Sequence, residues 1–225
     1  RYGGYYKSHG PQYVRGIQEG NGIPEDGDLW LSYSVNKEDM WVSRIQVPVQ
    51  LEATAHAKDD FSQAEKLADL TDWNLYSPLW APVSLEGKWL KMSDRDPFDY
   101  CRIERKIPAS KELKVAFDIK ADQNDKGLLQ IEFLDENSIA CARIDLNPDG
   151  TMLSKGGARY GKLLNYEAGK SYHVEVILSV SKRMSEVFID GKKAGQRMFF
   201  APVAAIERIA FRTGERRTFP TIDTP

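Results

Sequence analysis

Little in this chain points to a polyanion, a membrane or a metal. The 31 Lys and Arg are balanced by 33 Asp and Glu, leaving a net charge of −2. A nucleic-acid-binding domain usually carries a clustered basic face, and Arg216-Arg217 is a local pair only. No apolar run approaches the ~20 residues of a membrane span. There are 2 cysteines, Cys101 and Cys141, far apart and without metal-site or CxxC spacing. Two buried thiols and one disulfide are both open readings. A glycine-rich phosphate loop, a Ser-His-Asp order and a nucleotide fingerprint are all missing. The chain opens on Arg1 rather than Met and shows no signal peptide, so we expect a processed or truncated protein.

What is present is strand. Leu113, Val115, Phe117, Ile119 and Ala121 alternate with Glu112, Lys114, Ala116, Asp118 and Lys120. Tyr172, Val174, Val176, Leu178 and Val180 repeat the pattern. A period of two marks strands with one face in a core. Further runs lie at 98–107, 128–134, 138–146, 183–190 and 206–213. Asp190-Gly191 is a short-hairpin signal. Asn147-Pro148-Asp149-Gly150 is a turn in which Pro sets φ and Gly supplies positive φ. Asp125-Lys126-Gly127 could turn 112–122 into 128–134. Closely spaced strands with short turns predict an antiparallel sandwich. Only 59–71 has helical spacing, with Phe61, Ala64, Leu67, Ala68 and Leu70 on one face and Asp59 or Asp60 as cap. A helix of one or two turns is expected there.

The first fifty residues differ in texture. Three strand-like runs, at about 12–17, 28–35 and 39–46, are joined by Gly/Pro/Asp turns and by Asn36-Lys37-Glu38. A three-stranded sheet alone is marginal. It reads as the last piece of a repeated β-structure, which needs its neighbours. The sequence therefore predicts an all-β chain. Residues 1–50 form a β-propeller blade fragment, 51–60 a linker, and 61–225 an antiparallel jelly-roll β-sandwich.

GDLWLSYSVNKEDMWVSRIQVPV (27–49) resembles the closing blade of sialidase-like (BNR-type) β-propeller proteins secreted by gut Bacteroidetes. In those proteins a jelly-roll domain follows, opening much like WNLYSPLWAPVSL (73–85). YHVEVILSVSKRMSEVFIDGKKAG (172–195) resembles the concanavalin/laminin-G pattern of two long strands followed by an Asp-Gly hairpin. The resemblance implies the C-terminal part of a secreted, periplasmic or surface protein that cleaves a glycan, by hydrolysis or β-elimination. Upstream blades of the same protein are the implied partners, with a polysaccharide or other glycan as ligand. One departure stands out. The S-x-D-x-G-x-x-W box of sialidase blades is absent, and NPDGTML (147–153) keeps only its Asp-Gly. The arginine triad and the Tyr/Glu pair of true sialidases have no assignable positions.

Several clusters carry candidate chemistry. His9, Tyr5, Tyr6 and Arg15 crowd into the YYKSHGPQYVR stretch. His and Tyr could serve as acid and base on a sugar ring, and Arg could grip a carboxylate. The competing reading is a structural loop packed between blades. Trp73, Tyr76, Trp80 and Trp89 could stack on the apolar faces of sugars, or plug the sandwich edge. Glu19, Asn21, Glu25, Asp26 and Asp28 give an oxygen-rich loop that could hold Ca²⁺, but an ordinary acidic turn explains them as well. No other metal or cofactor site is expected. DRDPFDY (94–100) reads as a turn entering a strand. His56 and His173 have no recognisable partner and are placed on the surface. The rival classes are an enzyme, a non-catalytic carbohydrate-binding module and a structural scaffold.

Overall fold

A computed structural model describes residues 11–18, 27–35, 39–47, 57–96 and 100–214; in the first three strands, side chains are described at 14–16, 29–34 and 40–43. The chain divides into two compact units, Arg1–Leu51 with Glu215–Pro225, and Glu52–Gly214.

In the first unit, β1 (Pro11–Gln18), β2 (Gly27–Val35) and β3 (Asp39–Val47) form an antiparallel meander. The register puts Trp30, Ser32 and Ser34 on the same face as Met40 and Val42. That face leaves Trp30, Met40 and Val42 exposed. The other face carries Tyr33, buried, whose hydroxyl lies 2.7 Å from Ser43 Oγ.

The second unit is an antiparallel sandwich. Its larger sheet uses seven strands: β4 (Trp73–Tyr76), β7 (Arg102–Ser110), β9 (Leu129–Leu134), β10 (Ala140–Leu146), β11 (Thr151–Gly156), β12 (Arg159–Asn165) and β16 (Ile206–Thr213). They are ordered β12-β11-β10-β9-β16-β7-β4. The smaller sheet runs β15-β14-β13-β8, from β8 (Glu112–Lys120), β13 (Ser171–Ser179), β14 (Met184–Ile189) and β15 (Lys192–Met198). A separate hairpin joins β5 (Val83–Glu86) and β6 (Trp89–Met92). The jelly-roll-like, all-β architecture expected from the alternating strands is what the chain adopts.

The core lies between the two sheets. Ile131, Phe133, Ile144 and Met152 from one meet Val174, Val176, Leu178 and Val187 from the other. Fully burying each such side chain is worth roughly 1.5–3 kcal/mol. The alternations read from the sequence place the expected residues inward: Tyr172, Val174, Val176 and Leu178 are buried, and Leu113, Val115 and Phe117 pack on the same core. Phe117 meets Phe211 of the other sheet edge-on at 5.2 Å. A satellite core of Ala81, Val83, Cys101 and Ile103 sits under the β5–β6 hairpin. Both cysteines are buried and neither forms a disulfide. Burial pushes the Cys141 thiol up to about 12.

Two turns form as read. Asp190 (φ 50°) and Gly191 (φ 75°) occupy the left-handed positions of the two-residue β14–β15 hairpin. Gly150 (φ 77°) donates its amide to the Asn147 carbonyl at 3.1 Å.

Other expectations change. Asp125–Gly127 does not close a hairpin: it carries the chain from β8 in the smaller sheet to β9 in the larger. The helix over 59–71 shrinks to one 3₁₀ turn, Leu67–Asp69. Side chains capture the backbone amides that a longer helix would use. Asp69 Oδ2 accepts from the amides of Glu65 and Lys66, both at 3.0 Å, and Asp60 Oδ1 accepts from Ser62. Strands β4, β5 and β6 occupy a stretch read from sequence only as an aromatic cluster.

Candidate functional site

The four aromatics of 73–89 do not form one platform. Trp73 joins the satellite core, 5.8 Å from the Phe61 ring and 5.9 Å from the Arg105 guanidinium. Its indole N–H is buried without a hydrogen bond, which marks it as packing. Arg105 is itself buried and reaches Asp59 at 3.2 Å and Asp72 at 3.1 Å. Tyr76 packs on Tyr100, with ring centroids 5.3 Å apart. Trp80 is 63% exposed and its neighbour Leu79 80%. Trp89 is exposed, with Lys120 Nζ 5.8 Å from its ring centroid. Trp89 begins β6 opposite Glu86, whereas Trp80 precedes Val83 at the other end of the hairpin. About 10 Å of strand therefore separates the two.

Of the propeller-side candidates, Arg15 is exposed on β1, where a bulge shifts the register between Gln12 and Arg15. His9, Tyr5 and Tyr6 lie outside the described residues, as do His56 and the side chains proposed for Ca²⁺ (Glu19, Asn21, Glu25, Asp26 and Asp28). Among the described residues no three His, Cys, Asp or Glu converge as metal ligands. His173 does have a partner: its Nδ1 is 2.7 Å from Asp118 Oδ1 on an exposed strand face. In 94–100, Asp94 Oδ1 accepts the Asp96 amide at 2.9 Å, a local turn, and 97–99 lie outside the described residues.

The most unusual chemistry lies on the outer face of the seven-stranded sheet. Strand pairing aligns one transverse row: Asn74, Glu104, Ala210, Glu132, Arg143, Lys155, Tyr160. Two residues along each strand, about 7 Å away, a second row reads Tyr76, Arg102, Arg212, Gln130, Asp145, Leu153, Lys162. Seven strands about 4.8 Å apart make each row ~29 Å long. Charged and strongly polar groups normally avoid burial, yet Glu104, Glu132, Arg143, Asp145, Arg212 and the neutral Gln130 are all buried here.

Most of these groups are tied to one another. Glu104 takes Arg102 on one oxygen and Arg208 on the other, the latter at 3.1 Å. Arg208 also donates to the Glu136 carbonyl at 3.0 Å. Arg143 lies 2.8 Å and 3.2 Å from the two oxygens of Asp145 and donates to the Tyr160 hydroxyl at 2.6 Å. Arg212 stacks 4.0 Å over the Tyr100 ring and donates to Gln130 at 3.4 Å. Satisfaction is incomplete, because Arg102 Nε and Arg208 Nε are buried with no hydrogen-bond partner. Burial raises the Asp145 pKa above the ordinary carboxylate range; Arg143 pulls it down and nearby Glu132 adds to the rise.

Glu132 differs from the rest. It is 4% exposed, sits between Ala210 and Arg143 in the row, and makes no ion pair or hydrogen bond among the described residues. Its strand neighbours Ile131 and Phe133 point into the core, which turns its carboxylate to the outer side. Beside it, Leu134, Ala140 and Ala210 make a small apolar cluster against Phe200.

Residues 73–225 match the family described as sialidase-like, CBM domain. The chain belongs to that family. A solved structure titled "Sialidase" is 70% identical over 98% of this chain, with a TM-score of 0.88. This sialidase-like CBM chain covers 20% of that sialidase, about a fifth of its length. Looser likenesses include the Emp47p carbohydrate recognition domain (10% identity, 69% of this chain and 84% of that one, TM-score 0.48). Another is the carbohydrate-binding module CBM66 from Bacillus subtilis (9% identity, 72% and 91%, TM-score 0.38). Neither of these two bears on function. No curated protein matches the chain. No helix among the described residues is long and apolar enough to cross a membrane.

Sequence reasoning missed the polar face of the sialidase-like CBM sandwich. The signal was there as polar residues alternating with apolar ones in LQIEFL, ARIDL and RIAFR. Such alternation ordinarily means a solvated face, and only strand pairing shows that these side chains meet one another.

Proposed function

We propose that this chain is the glycan-binding part of a larger secreted carbohydrate-active protein, and that its sandwich holds the sugar. The observation that carries this reading is the outer face of the seven-stranded sheet. It collects carboxylates, guanidinium groups and the rings of Tyr76, Tyr100 and Tyr160 on one surface. Sugars are bound by such mixtures, because hydroxyls need both donors and acceptors while ring C–H faces pack on aromatics. Membership of a sialidase-like CBM family supports the same reading.

The chain spans a fifth of the related sialidase. Glycan cleavage, by a glycoside hydrolase or a polysaccharide lyase mechanism, is therefore assigned to the longer protein. In this picture β1–β3 are the terminal blade of a propeller. The exposed Trp30, Met40 and Val42 would face a neighbouring blade. His9, Tyr5, Tyr6 and Arg15 would sit at its pocket. Trp80 is the alternative sugar contact on the sandwich. The protein would act outside the cell, in the periplasm or at the cell surface, and binding of this kind needs no cofactor.

Affinity electrophoresis of the 225-residue chain through gels containing neutral or acidic polysaccharides tests the reading. Retardation by at least one glycan is expected. Unchanged mobility in all of them would favour a scaffold.

A further inference from the structure

We infer that a cleft at the open edge of the sandwich is a second saccharide site, and that it takes a sugar unit carrying a carboxylate. The inference rests on the glycan-binding reading above and adds a place and a ligand class to it.

The place follows from how two edge strands meet. β12 ends the seven-stranded sheet and β15 ends the four-stranded one, and the two are not paired with each other. Arg197 of β15 lies against Gly161 of β12, and Leu163 of β12 lies against Gly195 of β15. A Cβ on either glycine would strike the facing side chain, so glycine is what lets the edges close there. Further along, at Leu164–Asn165 and Lys192–Lys193, the edges part around a cleft of about 480 Å³. That volume is in the range of small-molecule sites. Its floor is apolar, with Leu163, Leu164, Ile189 and Ala194 beside Tyr172.

The ligand class follows from the charged groups lining the cleft, Lys170, Lys192, Lys193 and Asp190. Two of the cations are shared within the chain, Lys170 with Glu167 at 2.7 Å and Lys193 with Glu186 at 2.8 Å. Asp190 Oδ1 accepts the His173 amide at 3.0 Å. Lys192 is exposed and has no ion-pair partner among the described residues. It is therefore the cation left to meet a ligand carboxylate, by a charge-assisted hydrogen bond. The apolar floor takes the C–H face of the ring, and the Asn165 amide serves hydroxyls as both donor and acceptor. A neutral sugar would fit the same floor but leave Lys192 to water. Lys162, in the second outer-face row, directly precedes Leu163. A glycan lying across the outer face reaches the cleft by rounding this edge strand.

Titration calorimetry of the 225-residue chain tests this. The probes are trigalacturonate as the acidic saccharide, galactotriose as a neutral one, and a short polyaspartate as an anion without sugar. Trigalacturonate should bind more tightly than either of the others, and less tightly as salt is raised. Lys192→Gln should weaken trigalacturonate roughly tenfold and leave galactotriose unchanged. Lys192→Arg should keep most of the affinity. Lys182→Gln removes an exposed lysine at the opposite end of β14 and should change nothing. Lys192→Gln binding trigalacturonate like the wild type would overturn the place. So would an equal loss with Lys182→Gln, which would make the attraction one of overall charge. Galactotriose or polyaspartate bound as tightly as trigalacturonate would overturn the ligand class. Binding of neither trisaccharide would overturn the cleft site, and the gel retardation described above then says separately whether the glycan-binding reading survives.

Discussion

The two sheets of the sandwich share one core and turn unlike outer faces away from it. The four-stranded sheet shows ordinary surface chemistry. Lys114 meets Glu175 at 2.7 Å, Lys193 meets Glu186 at 2.8 Å, and His173 meets Asp118, each pair on neighbouring strands and reached by solvent. The seven-stranded sheet instead buries its charges and pairs most of them tightly. Similar residue types alternate with core residues in both. The difference is burial, and burial turns a solvated face into one that can discriminate among ligands.

The largest expected effect lies beneath the polar face. Phe133 is fully buried between Glu132 and Leu134 on β9. Phe133→Ala should cost about 3–5 kcal/mol in urea unfolding. A cost under ~1 kcal/mol would mean the seven-stranded sheet does not share the core with the other sheet.

Next comes the edge where the two sheets meet. A Cβ at Gly156 would lie 2.7 Å from Arg197 Cβ, which cannot swing away. At Gly161 the clash is with the far end of the same side chain, which can. Gly156→Ala should destabilise by roughly 1–3 kcal/mol and Gly161→Ala by less. The reverse order in thermal melts would contradict this placement of Arg197.

The buried charges should also show in the pH dependence of stability. Burial raises the Asp145 pKa on folding above its ordinary value of 3.8. Between that value and its folded pKa the native state binds more protons than the unfolded one. This group's contribution to stability therefore falls as pH rises through that window and is fully unfavourable above it. Asp145→Asn should remove that slope from the curve of stability against pH. An identical slope in the variant would mean that its carboxyl is not held in a desolvated site.

The smallest effect belongs to the other sheet. Lys114→Ala should change stability by roughly 0.2–1 kcal/mol, and less in high salt. A larger, salt-insensitive loss would erase the contrast between the two outer faces.

Much of the architecture was legible in the sequence because one-sided burial leaves a period of two. Tyr172–Leu178 and Leu113–Ile119 announce their inner faces, and Asp190-Gly191 announces its hairpin. The helix over 59–71 misled because helical spacing is a weak signal where Asp60 and Asp69 can capture backbone amides. The crossing at Asp125–Gly127 was hidden because a turn signal does not say which sheet the next strand joins. The aromatic cluster was visible as composition, but Trp73 and Trp80 have the same sequence character and opposite environments. The row through Glu132 was least legible. It is assembled from six strand pairings, and no local window contains it.

The most direct test of a glycan-binding outer face is the amide chemical-shift map of the ¹⁵N-labelled 225-residue chain titrated with a bound oligosaccharide. The account predicts that the shifts concentrate at Gln130–Leu134, Arg143–Asp145 and Arg208–Arg212. Shifts confined to the Leu79–Ala81 turn or to the four-stranded sheet would contradict it.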